Sequence, residues 1–123
     1  MRVLFDTNFL MLPHTNKIDI FSGIQDIISD AEFITLSGIV DELKKLAAGR
    51  GGDAAAASVG IKLIEKENVK IIDSEGHVDD AIREYASKNE VVICTNDKVL
   101  RGRLRKEGTA VITLLGKDRL VSI

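Results

Sequence analysis

MRVLFDTNFLM, residues 1–11, opens the chain and decides how the rest is read. Val3, Leu4 and Phe5 form a short apolar run of the kind that makes a buried strand. The run ends on Asp6, followed by the short polar side chains of Thr7 and Asn8, and hydrophobes resume at Phe9. A carboxylate at the end of a buried strand costs stability unless something binds it. The remaining sequence is therefore read for groups that could share a site with Asp6.

Outward from this stretch the same rhythm repeats. FITL (33–36), VKII (69–72), VVIC (91–94) and AVITLL (110–115) are further strand-like runs. VVIC is uniformly apolar, as strands covered on both faces are. Between them lie helical patterns. Ile18, Phe21, Ile24, Ile27 and Ile28 recur at helical spacing. Ile39, Val40, Leu43 and Leu46 mark a helix for which Ser37 is the expected N-cap. An alanine-rich helix runs from about Asp53 to Lys66 after a GRGGD turn at 49–53. Val78, Ala81, Ile82, Tyr85 and Ala86 mark another helix, and Leu100 and Leu104 a last one that Gly108 closes. Five strands alternating with helices predict an α/β fold, a three-layer α/β/α sandwich around a five-stranded parallel sheet.

Composition fits this and narrows the function. The 123 residues are expected to form one domain, 1–123, with 45% apolar residues for a core and 29% charged ones. No apolar run reaches the roughly 20 residues that span a bilayer, and no secretory signal is visible, so a cytoplasmic location without membrane association is expected. Cys94 alone cannot form an internal disulfide and reads as a buried thiol. The net charge is −2, yet KVLRGRLRK at 98–106 holds five bases and no acid. Such a run is either a solvated helix face or a place to hold a polyanion.

In an open parallel sheet, ligands gather at the carboxyl ends of the strands. Acids from four chain segments fall there: Asp6, Glu42, the pair Asp79 and Asp80, and Asp97, which follows Thr95 and Asn96. Taken singly, each has an ordinary reading: Asp97 as an N-cap, Asp79 and Asp80 as acids at a helix start, Glu42 as a surface residue. Together they repel and raise one another's pKa unless a cation sits between them. Carboxylate oxygens suit Mg²⁺ or Mn²⁺; His14 and His77 are isolated and there is no Cys/His cluster for zinc. A nucleotide loop is absent too, since no G-x-G-x-x-G or Walker pattern occurs and GRGGD follows a helix.

FDTNFLM, LSGIVDELKKL, VDDAIREYA and CTNDKVLRGRLRKEG, in this order and spacing, resemble the PIN domain family. The likeness is nearest to the short archaeal single-domain members, which are similar to the PIN domains of ribosomal-RNA processing proteins. The resemblance implies a metal-dependent endoribonuclease that hydrolyses phosphodiester bonds in single-stranded or structured RNA, in rRNA processing, with Mg²⁺ or Mn²⁺ as one or two ions. It assigns Asp6, Glu42, Asp97 and one of Asp79 and Asp80 to the catalytic, metal-holding acids. Asp79 is favoured because it shares a helical face with Ile82 and Ala86; Asp80 then caps the helix or supports the metal from behind. Asn8 and Thr95 match positions that hydrogen-bond these acids, and Ser37 and Asn96 are supporting residues beside them. Lys98, Arg101, Arg103 and Arg105 are the RNA-binding bases, with Arg101 and Arg105 on one face. The alternatives are a non-cleaving RNA-binding or ribosome-assembly module and the toxin of a toxin–antitoxin pair, with an antitoxin or an assembly factor as protein partner. A homodimer is implied as well, for which Phe21 and Ile24 offer an apolar surface unless the core takes them.

Overall fold

A computed structural model describes residues 1–123. Strand β1 (Arg2–Phe5) is followed by helices α1 (Thr7–Thr15) and α2 (Ile20–Ile27), then β2 (Glu32–Leu36), α3 (Ser37–Ala47), α4 (Gly52–Lys66) and β3 (Lys70–Ile72). The second half runs α5 (Val78–Lys88), β4 (Val91–Cys94), α6 (Lys98–Lys106), β5 (Ala110–Leu115) and β6 (Arg119–Ser122). The strands form one sheet in the order β3-β2-β1-β4-β5-β6. The five expected strands pair in parallel. A sixth, β6, turns back antiparallel along β5 and was not foreseen.

The faces of the sheet follow from strand alternation. On one, Phe5 meets Phe9, Phe21 and Phe33 at ring-centroid distances of 5.9, 5.3 and 5.5 Å, so all four phenylalanines form one cluster beneath α1 and α2. On the other, Arg2 donates to the Tyr85 hydroxyl of α5 at 2.9 Å. Helices α1, α3 and α4 pack on one another, α6 packs on β5, and α5 touches both β2 and α6. The core holds 27 buried residues, with all four of β4 among them. Phe21 and Ile24 belong to it, so they present no surface to a second copy. No helix is long and apolar enough to cross a membrane.

Strand order positions the site. The chain moves outward from β1 to β2 and β3, then returns to place β4 on the opposite side of β1. The reversal opens a crevice past the carboxyl ends of β1 and β4, where parallel sheets bind ligands. Asp6 and Thr95 are the first residues beyond those two ends.

One expected cap is corrected. Ser37 is the first residue inside α3 and does not cap it; Leu36 occupies that position without a side-chain bond. Ser37 Oγ instead accepts the Ser74 amide at 2.9 Å, while Ser74 Oγ accepts the Gly38 amide at 3.0 Å. The free amide at the start of α3 is thus satisfied from the loop after β3, which a local reading has no means to find.

Candidate active site

Asp6 is 6% exposed and caps α1: its Oδ1 accepts the Phe9 amide at 2.8 Å. Its Oδ2 accepts a hydrogen bond from the Thr95 hydroxyl. The same hydroxyl oxygen accepts the Asp97 amide at 3.1 Å, so Thr95 joins the two acids across the crevice. Burial pushes the Asp6 pKa up to about 6; these two hydrogen bonds oppose the rise, and the charges of Asp97 and Asp79 add to it. Beside it, the Cys94 thiol is fully buried and raised far above its ordinary range, first by burial and then by Asp6.

Asp97 does what its ordinary reading says: Oδ1 caps α6 by accepting the Val99 and Leu100 amides at 2.9 and 3.0 Å. It also bears on its neighbours. The Asp79 carboxyl is held above the usual range by partial desolvation, then by Asp97 and Glu42, with Arg103 opposing. Glu42 is exposed on α3 and accepts a hydrogen bond from the Thr7 hydroxyl. Asp6 thus feels Asp97 and Asp79, and Asp79 feels Asp97 and Glu42, so the four acids form one connected electrostatic group on the carboxyl edge. None of them has a salt bridge to a protein cation. Asp80 contributes only a smaller repulsion to Asp79, and α5 has no side-chain cap, so Asp80 does not cap it.

The supporting residues sort differently from expectation. Thr95 binds an acid; Asn8 is exposed and donates to none, and Thr7, one residue earlier, holds Glu42 instead. Asn96 faces away from the acids: its Oδ1 accepts the Thr113 hydroxyl at 2.9 Å and the Leu114 amide at 2.8 Å, tying the loop to β5. Arg101 reaches Thr113 Oγ1 at 3.4 Å, whereas Arg103 is the base that acts on Asp79. Lys98 and Arg105 are exposed along α6.

No three acids, histidines or cysteines stand at metal-ligating distances. The chemistry of the four acids suits a hard divalent ion: every donor is a carboxylate oxygen, and a cation would offset the charge that burial and the neighbouring acids disfavour on Asp6. Three clefts lie elsewhere and are lined by none of the four acids, among them one of about 380 Å³ between α5 and the loop after β3.

A model of the PIN-like domain matches residues 3–117. The chain belongs to the PIN-like domain family. The PIN-like fold places all four acids on the matched segment. Ribonuclease VapC9 of Archaeoglobus fulgidus is 30% identical over 107 residues, 86% of this chain and 77% of that one. Two solved structures resemble this chain at 21% identity. The PIN domain endonuclease Utp24 superposes with a TM-score of 0.82 over 98% of this chain and 90% of its own. A domain of a functionally unknown protein from Methanocaldococcus jannaschii does so with a TM-score of 0.69 over 99% and 96%.

Proposed function

We propose that this protein is a divalent-metal-dependent endoribonuclease, with the phosphodiester bond of RNA as the bond hydrolysed. The observation that carries this reading is the buried Asp6 at the strand-order reversal, coupled to Asp97 and Asp79 and lacking a protein counter-ion. The ribonuclease relative at 30% identity supports RNA as the substrate.

In this reading Asp6, Glu42, Asp79 and Asp97 hold one or two Mg²⁺ or Mn²⁺ ions. Such ions, when bound, lower the pKa of water and offset charge on the scissile phosphate and the leaving oxygen. The protein's own share is positioning. Thr95 fixes the Asp6 carboxylate and, through the Asp97 amide, the start of α6. Thr7 aims Glu42. Arg103 lies next to Asp79 and offers the phosphate backbone a positive charge, while Lys98, Arg101 and Arg105 extend that charge along α6. The open edge admits a polymer, in contrast to the enclosed pockets that take small molecules.

The test is cleavage of end-labelled single-stranded RNA with Mg²⁺ or Mn²⁺ by wild type and an Asp6→Asn variant. Wild type should cut and the variant should lose activity by at least about 100-fold, the scale on which removing an essential electrostatic group acts. Equal cutting by both assigns the activity to a contaminant and ends the proposal.

A further inference from the structure

Three of the four edge acids are fixed by hydrogen bonds. Asp6 is held by the Phe9 amide and Thr95, Asp97 by the first amides of α6, and Glu42 by Thr7. Asp79 caps nothing and has no ion pair. Its place depends on the helix that carries it. Helix α5 is lightly anchored: of its 11 residues only Ile82 is buried, and its start has no side-chain cap. Two side-chain bonds tie it to the rest of the fold. Tyr85 accepts from Arg2, and Arg83 Nε donates to Glu107 Oε1 at 2.7 Å. Arg83 follows Asp79 by one turn, about 6 Å of helix, so its bond is the tie nearer the acid.

Helix α6 is the firmer partner. Leu100 and Leu104 are buried, Asp97 caps its start, and Glu107 stands where it ends, before the left-handed turn at Gly108. Both helices connect parallel strands, so they run the same way, from the carboxyl edge toward the amino edge. Their charges match in register. Asp79 and Arg83 are one turn apart on α5, and Arg103 and Glu107 one turn apart on α6. Arg83 bonds Glu107 while Arg103 acts on Asp79, so opposite charges meet at both steps. Sliding α5 by one turn sets Arg83 against Arg103 in one direction and Asp79 against Glu107 in the other. Both shifts bring like charges together. A partly exposed pair adds little to overall stability. What this one supplies is register.

We infer that Arg83 and Glu107 are positioning residues that set α5 against α6 and so hold Asp79 where it can share a divalent ion with Asp97. The inference rests on the metal-dependent nuclease reading for that ion and adds the contact that completes the acid set. Both residues act through Asp79 and not on the ion or the RNA.

The test is the Mn²⁺ affinity of the full chain, measured by calorimetry without RNA. Both side chains are partly exposed, so their replacement leaves the fold intact. Arg83→Ala and Glu107→Ala should each weaken Mn²⁺ binding about threefold, within the ceiling of about fivefold that the energy of an exposed pair sets. The double replacement should cost no more than either single one. The swapped pair, Arg83→Glu with Glu107→Arg, should return the wild-type affinity. Lys88→Ala, which breaks the Lys88–Glu84 pair inside α5, should change nothing. Charge acting at a distance gives another pattern: loss of Arg83 tightens the cation and loss of Glu107 loosens it. That opposition of sign, or no change in either variant, overturns the positioning role even where wild type cuts RNA. The expected losses in a protein that cuts no RNA overturn the nuclease reading and keep the positioning role. If wild type binds no Mn²⁺, both fall.

Discussion

Asp6 carries two roles that compete. As the cap of α1 and partner of Thr95 it is structural, yet its ionised form is held out of water beside other acids. The folded chain binds the Asp6 proton more tightly than the unfolded chain does, with a pKa of about 6 against 3.8. The stability this gives is complete below pH 3.8 and lost as pH rises through 6. In EDTA, Asp6→Asn should therefore be more stable than wild type by about 3 kcal/mol at pH 8 and nearly equal to it at pH 3.5, as urea unfolding at the two pH values measures. Mg²⁺ or Mn²⁺ at pH 8 should narrow the gap by stabilising wild type alone. A gap that ignores both pH and metal would show that the Asp6 charge is not the source. The acids were readable from sequence because Asp6 and Asp97 lie one and three residues beyond strand ends, while Asp79 and Glu42 fall in the first two turns of a helix. Their hydroxyl partners were less so. Thr7 rather than Asn8 meets an acid, and Ser37 meets Ser74, because rotation at a helix start and a loop 37 residues away decide such contacts.

At the scale of elements, close packing of α4 on α1 depends on Gly60. A Cβ there would lie 2.7 Å from the Leu10 carbonyl oxygen, a backbone atom that cannot swing aside. Gly60→Ala gains helix propensity but forces the two helices apart, and should destabilise by about 1–3 kcal/mol in chemical unfolding. If it stabilises, α4 is free to slide. Helix α1 itself escaped the sequence reading. Phe9, Leu10, Met11 and Leu12 are all buried, so no polar face marks a helical period, and Pro13 falls within its span. Strand β6 escaped for another reason: RLVS is short and only half-buried at its centre, with no apolar run to set it apart. The parallel strands and the amphipathic helices α3, α5 and α6 were visible because burial imposes a period on them.

The whole molecule separates its charges. Net charge is −2, yet acids crowd the edge beyond β1 and β4 while α6 carries bases from Lys98 to Lys106. Sequence showed the run but not which bases face the edge; Arg103 beside Asp79 and Arg101 against Thr113 became distinct only with the helix in place. Replacing Arg101 and Arg105 together by Ala should weaken binding of single-stranded RNA about tenfold at low salt, with a slope shallower by about 1.4. Binding unchanged by the double replacement would leave the run as a solvated face.

Because β1 occupies the middle of the sheet, its neighbour on one side is made last among the pieces that matter: Thr95 trails Asp6 by 89 residues. A chain still being synthesised cannot complete the acid crevice until β4 and the start of α6 have emerged. If the acids cut RNA as proposed, the cutting centre comes into being only with the closing of the fold, and an unfinished polypeptide lacks it.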